Sequence, residues 1–245
     1  MSGDVKTFAT KINRQRISSS LFDYIYLSFR HNANTFERFA DQVGSSKRVL
    51  DAGCGFKPWL PLFDEATQYI GVDYSSQWSS ADALASIDHL PFPDDTFDAV
   101  ICSEVLEHTR YPERCIEELR RVCKPGGVLY ISTPFAFPEH GIPYDFQRMT
   151  QYFYKSVFEK DEIVELNATS STLATAFVTF NYFIESTPLR FAWGFKHIAY
   201  LIFNLLALAS DVVINFAAPK IMRTLKHYTH MMPLGYNMII RVRKP

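Results

Sequence analysis

The chain has 245 residues, of which 47% are hydrophobic, 15% aromatic and 21% charged, enough apolar matter for a sizeable core and too much for wholesale disorder. Its 25 basic and 26 acidic residues leave a net charge of -1, which argues against a dedicated nucleic-acid binder. Cys54, Cys102, Cys115 and Cys123 form no CxxC pair and no disulfide framework, so a reducing compartment, the cytoplasm, is expected.

In chain order, Lys6, Lys11, Arg14 and Arg16 precede Ser18, Ser19 and Ser20. No apolar stretch of secretory type follows, so no signal peptide is read, although the Arg/Ser content alone also suits a transit peptide. From Leu21 to Val43 apolar residues recur at helical spacing (Leu21, Tyr24, Ile25, Phe29, Phe36, Phe39, Val43). This predicts a lead-in helix, broken near Asn32 to Asn34 and ended by Gly44. Six of the ten glycines then lie between residues 44 and 127, where short apolar runs alternate with turns and helical patterns. Strand candidates are Arg48–Asp51, Tyr69–Asp73, Phe97–Cys102 and Val128–Ser132, which predict a parallel sheet with helical crossovers. Pro112 to Cys123 reads as an amphipathic helix with Ile116, Leu119 and Val122 on its apolar face, stopped by Lys124-Pro125-Gly126-Gly127. Glu162–Leu166 and Met238–Val242 are further strand candidates.

The stretch from Ile198 to Ala218 is almost wholly apolar, interrupted by Asn204, Ser210, Asp211 and Asn215. It is long enough to span a bilayer. A single crossing, however, would strand the terminal strand candidate on the wrong side. Asp211 would add up to about 2.5–3.5 kcal/mol on insertion scales. A buried or interfacial helix is therefore preferred. The surrounding segment, 188–230, carries five basic residues (Arg190, Lys196, Lys220, Arg223, Lys226) and one acidic residue.

Val49-Leu50-Asp51-Ala52-Gly53-Cys54-Gly55 ends a strand with closely spaced glycines, which lets backbone pass tightly against a ligand. Asp73 follows Asp51 by 22 positions and ends the next strand, where a carboxylate can accept hydrogen bonds from two ribose hydroxyls. A tight turn with an incidental strand-end Asp is the alternative. Pro58 stands where the third glycine of G-x-G-x-x-G belongs, which disfavours a nicotinamide oxidoreductase.

Further on come Asp88-His89-Leu90-Pro91-Phe92, Phe97-Asp98-Ala99-Val100, Val105-Leu106-Glu107-His108 and Leu119-Arg120-Arg121-Val122-Cys123-Lys124-Pro125-Gly126-Gly127. With these motifs in this order the chain resembles class I S-adenosylmethionine (SAM)-dependent methyltransferases, and looks most like the type 11 branch. The resemblance covers residues 44–133 closely and runs loosely to about residue 160. It implies a Rossmann-like α/β fold: a seven-stranded, mostly parallel sheet with the last strand antiparallel, helices on both faces and a helical insertion before the last strand. The expected layout is a single domain: helical lead-in 1–44, cofactor-binding core 45–167, helical insertion 168–235 and terminal strand 236–245. The resemblance implies SAM as cofactor. Asp51, Gly53, Cys54 and Gly55 would form the cofactor loop, with Cys54 packing rather than reacting. Asp73 would hold the ribose and Tyr74 would cover the adenine. Asp88, His89 and Leu90 would meet the adenine edge, and Cys102 and Ser103 would lie near the methionine end.

Methyl transfer needs donor and acceptor aligned, and a general base only if the acceptor must lose a proton. Base candidates are His108, His140 and Asp145. His108 reads equally as a helix-start histidine bonded to backbone. The loop from Pro134 to Arg148 resembles the branch's acceptor-side loop, but also reads as a packed loop in which Asp145 pairs with Arg148. No His/Cys cluster has ligand spacing, so no metal site is expected. The acceptor is expected to be a small molecule or lipid-linked, with no nucleic acid. The 188–230 segment suits a lid, a dimer face or peripheral membrane contact, the last placing the protein on a cytoplasmic membrane face. A non-catalytic SAM-fold adaptor, acting through the apolar insertion at a membrane or partner protein, is the competing function.

Overall fold

The computed structural model describes residues 16–191, 193–221 and 230–244, with the side chains of 193 and 215–221 excepted. The basic stretch read for targeting lies outside these residues up to position 15, as do Arg223 and Lys226.

Helix α1 (Tyr26–Val43) ends at Gly44, whose φ of 69° and N–H donated to the Ala40 carbonyl close the last turn. The break expected near Asn32 to Asn34 does not occur. Asn32 is buried; its amide donates to Glu104 (3.3 Å) and its oxygen accepts from Asn237 (3.2 Å). With its polar atoms held by other elements, the side chain does not compete for its own backbone.

Seven strands form one sheet: β1 (Arg48–Ala52), β2 (Gln68–Asp73), β3 (Ala83–Leu84), β4 (Phe97–Ser103), β5 (Cys123–Pro134), β6 (Glu162–Ala168) and β7 (Gly235–Arg241). Their order is β3-β2-β1-β4-β5-β7-β6. The first five pair in parallel, and β7 is antiparallel to both β5 and β6. Two-residue β3 has no counterpart among the strand candidates, because two exposed residues carry no hydrophobic period. β5 starts earlier than Val128. The Gly126 N–H donates to the Val242 carbonyl (2.8 Å) and Val242 returns the bond to Gly127 (2.9 Å), so the glycines that stop the preceding helix already belong to the sheet.

The central strands are buried on both faces, and alternate residues divide between two cores. Leu50, Val100, Cys102, Leu129, Ile131 and Met238 pack under α2 (Pro112–Val122) and α3 (Gln151–Val157). Val49, Ala99, Ile101, Tyr130 and Ile239 pack under α1 and Trp59. There Phe36 and Trp59 stack with centroids 4.2 Å apart.

Helices α4 (Thr172–Ser186) and α5 (Trp193–Ile221), which lie between β6 and β7 in the chain, pack against each other. Among the polar interruptions of the apolar run, Asn204, Ser210 and Asp211 are buried against the protein. Asn204 donates to the Leu21 and Asp23 carbonyls (2.8 and 2.9 Å) and accepts from Asn181 (3.0 Å). Asp211 accepts from the Ser171 N–H (2.8 Å) and lies 3.7 Å from His31 Nε2. The insertion cost assigned to Asp211 therefore does not arise; this carboxylate anchors the helix. Outward stand Phe195, Ile198, Ile202, Leu205 and Val212, spaced three, four or seven residues apart along one stripe and all exposed.

Asn237 on β7 is 1% exposed and ties α1 to the sheet, accepting from Thr35 and donating to the His31 carbonyl and Asn32. Asn237→Ala leaves these buried groups unpaired and should lower stability by about 1–3 kcal/mol in urea unfolding. Wild-type stability in the variant would contradict this role.

Candidate active site

The sheet order reverses direction between β1 and β4, which opens a crevice beyond the carboxyl ends of those strands. A cavity of about 700 Å³ occupies it. β1 runs into the glycine bend on its floor. Gly53 (φ 82°) leaves no room for a side chain, since a Cβ there would lie 2.4 Å from Val105 Cγ2. Gly55 (φ 48°) has open space where a Cβ would project. The N–H groups of Gly53 and Cys54 both donate to the Val72 carbonyl (2.8 and 3.0 Å), and the Gly55 N–H donates to Asp73 Oδ2 (2.9 Å). Asp73 Oδ1 accepts from the Ser75 N–H (3.1 Å). Asp73 is thus fixed by backbone, lines the cleft beside both glycines, and keeps acceptor capacity toward it.

Of the other residues expected to hold the cofactor, Cys54, Tyr74, Asp88 and Ser103 also line the cleft. Asp51, His89, Leu90 and Cys102 do not. Asp51 is 1% exposed behind the bend, where it accepts from the Tyr69 hydroxyl at 2.5 Å and burial pushes its carboxyl up to about 7. The His89 ring lies against Arg114 (3.3 Å). Leu90 and Cys102 point into the core under α2. Cys102 and Ser103 are consecutive on a strand, so only one of them can face the cleft. The Cys54 thiol is pushed far up by burial and stays protonated, a packing group.

Several lining residues carried no role in the sequence reading: Arg16, Trp78, Ser86, Glu104 and Tyr144. Buried Arg16 Nε has no partner among the described residues. Glu104, at the end of β4, sits at φ 56°, a conformation rare for a residue with a side chain and concentrated at functional sites. Burial, then the neighbouring Glu107, pushes its carboxyl up. On this side stand features that suit a nucleoside cofactor: an open cradle at Gly55, the backbone-fixed Asp73 carboxylate, the Tyr74 and Trp78 rings, and the Arg16 guanidinium, whose buried Nε has no hydrogen-bond partner among the described residues.

The opposite wall is built by the turn after β4 and the loop after β5. Glu107 is 0% exposed, and Nε2 of both His108 and His140 lies 3.6 Å from its Oε1. The two imidazole rings meet edge to face at 4.8 Å. A Cβ on Gly141 (φ 65°) would sit 2.8 Å from the His108 ring, so glycine is what lets the loop cross there. A cluster of potential metal ligands is therefore present, although no ligand spacing was visible; it joins two loops distant in sequence. Asp145 does not take the part of a base. It makes a two-point ion pair with Arg148 (2.5 and 2.7 Å), which holds its carboxyl well below the usual carboxylate range, and it accepts the His140 N–H (2.9 Å). Its work is to shape the loop. The Glu107 carboxylate raises the pKa of His140 above the ordinary imidazole value.

Residues 24–187 match the family described as a methyltransferase domain. A phosphatidylethanolamine N-methyltransferase of Cereibacter sphaeroides is 32% identical over 104 residues, 36% of this chain and 51% of the relative. A ubiquinone/menaquinone biosynthesis C-methyltransferase of an Enterobacter species is 35% identical over 104 residues, 41% of this chain and 39% of the relative. The chain spans about half or less of the length of these curated relatives. Among solved structures, a phosphoethanolamine N-methyltransferase of Haemonchus contortus, in complex with phosphomonomethylethanolamine and S-adenosylhomocysteine, superposes with a TM-score of 0.54. It is 14% identical over 95% of this chain and 59% of its own, a likeness of fold.

A raised folded-state pKa stabilises the protein below the unfolded value and loses that contribution as pH climbs through the folded value. In the presence of chelator, the His140 ring should therefore titrate above 6.5 by NMR, and Glu107→Gln should bring the midpoint back toward it. A wild-type midpoint at or below 6.5 would contradict the contact.

Proposed function

The chain belongs to the methyltransferase-domain family with SAM as its cofactor, and from that premise we propose that it methylates an amphiphilic, lipid-linked acceptor at a membrane surface. The cofactor supplies the difficult chemistry, a methyl group on a sulfonium leaving group. What this chain contributes is binding, orientation and exclusion of water. Asp73 would take the ribose hydroxyls, the bend at Gly53 and Gly55 would admit the chain that joins sugar to amino acid, and Arg16 would meet the amino-acid carboxylate. Three acids, Asp73, Asp88 and Glu104, line the cleft together with two guanidiniums, Arg16 and Arg110.

The observation that carries the membrane part is the outward face of α4 and α5. Within Gly194–Ile214, mean hydropathy is 1.8 and only 33% of the stretch is buried. Most of the exposed large aliphatic side chains of the described residues gather on these helices and their connection. A stripe of this kind with basic flanks, its one acid turned inward, suits the interface of an anionic bilayer rather than a crossing. With β7 in the sheet, the chain after α5 returns to the same side as the core. Tyr182 of α4 packs on Phe137 (4.9 Å), which packs on His140 (5.2 Å), so the helical pair is rooted beside the acceptor wall. A lipid-linked acceptor would then reach the cleft without leaving the membrane. The cytoplasmic leaflet, rich in anionic lipid, is the matching location.

The non-catalytic adaptor remains the competing function, and labelled methyl transfer separates the two. Using SAM labelled in its methyl group, label should enter the lipid fraction of a cell extract; label confined to water-soluble products would remove the lipid acceptor. The protein should co-sediment with anionic vesicles, and Ile198→Asp with Ile202→Asp and Leu205→Asp should release it, each side chain forfeiting up to about 1.5–3 kcal/mol of burial. Wild-type protein that stays in the supernatant with anionic vesicles would overturn the membrane reading.

A further inference from the structure

The acceptor wall holds an arrangement that methyl transfer from a sulfonium does not itself call for. Glu107 is completely buried, yet neither carboxylate oxygen has a hydrogen-bond donor among the described residues. Both histidines hold their Nδ1 against a backbone carbonyl: His108 against Tyr144 at 2.8 Å, His140 against Pro138 at 3.2 Å. Each is thereby left with Nε2 aimed at the same Glu107 oxygen, at 3.6 Å, beyond hydrogen-bond length. One ligand atom from each of the three residues lies within 4.8 Å of the others. Two ligands each about 2.1 Å from a tetrahedral zinc ion stand about 3.4 Å apart, close to the 3.6 Å separations found here.

We propose that Glu107, His108 and His140 bind one divalent transition-metal cation of the zinc type at the acceptor end of the cleft. The donor set decides the class, since two imidazoles and a carboxylate suit zinc and its first-row neighbours and suit magnesium or calcium poorly. The carbonyl partners of both Nδ1 atoms are the outer-shell contacts that fix a ligating histidine's tautomer and ring plane. Asp145 and Arg148 act one step further out, clamping the loop that carries His140. A three-residue set leaves at least one coordination position open toward the cleft, which His108 lines. Resting here on the methyltransferase reading, that position would take an oxygen of the acceptor and turn it toward the methyl donor. The competing account is a simple ion pair between protonated His140 and Glu107, which satisfies one imidazole and leaves the aim of the other without purpose.

Calorimetric titration of the chelator-stripped full chain with Zn²⁺, with metal content measured after dialysis, decides between them. The expected result is one equivalent of zinc, bound more than about 10-fold more weakly in Glu107→Gln, His108→Ala and His140→Ala. SAM binding, measured on the same samples, reports whether each variant is folded. Wild-type protein that takes up no stoichiometric zinc, or folded variants that all bind it like wild type, would overturn the site. Zinc failing while SAM binds removes the metal alone; SAM failing to bind wild type removes the methyltransferase reading instead.

Discussion

The hydrogen bond from the Gly55 N–H to Asp73 Oδ2 joins the ends of the first two strands, and the site depends on it. It does two things at once. It holds the glycine bend open in a left-handed conformation, and it fixes a carboxylate at the rim of the cleft without burying it. Val72 reinforces the bend by accepting from two successive N–H groups. A bend held from below by backbone can present its upper surface to a ligand with little left to reorganise. The reversal of strand order between β1 and β4 then makes the space above it.

The two walls of the cleft differ in how they are made. The cofactor wall is short-range: each of its parts except Arg16 follows a strand end, and the sheet places those ends together. The acceptor wall is long-range, with the turn after β4 meeting a loop that Gly141 and the Asp145–Arg148 pair bend back over His108. The helical pair extends that second wall outward through Phe137 and Tyr182. In the function proposed above, acceptor selection and membrane contact are mechanically adjacent, while the cofactor wall stands apart from both.

The same division explains what could be read from the sequence. The glycine bend, Asp73 and six of the seven strands were legible because each rests on local spacing or strand periodicity, whereas the seven-stranded order with its antiparallel last strand came from the resemblance to class I methyltransferases. The departures on that wall are mostly short steps along a motif: in the Cys102-Ser103 pair only Ser103 lines the cleft, His89 and Leu90 do not line it beside Asp88, and Asp51 is buried behind the bend. A motif quoted as a run of letters conceals that alternation. Glu107 was visible as an acid inside an apolar stretch, Val105-Leu106-Glu107, but nothing local showed that His140 would meet it. Arg16 lies so far ahead of the first strand that no motif included it. In the apolar insertion the composition was legible and the orientation was not. Asn204 and Asp211 looked like obstacles to a membrane, whereas they are the pins that fasten the helices to the protein and leave the aliphatic stripe outside.

The central claim is that Asp73 and the bend beside it grip the ribose of a sulfonium nucleoside. Calorimetric titration of SAM into wild-type protein and Asp73→Ala tests it most directly. The account predicts one site in wild type and about 10- to 100-fold weaker binding in a variant that still unfolds cooperatively, the loss of hydrogen bonds to a charged acceptor. Equal affinity in the two proteins would contradict it.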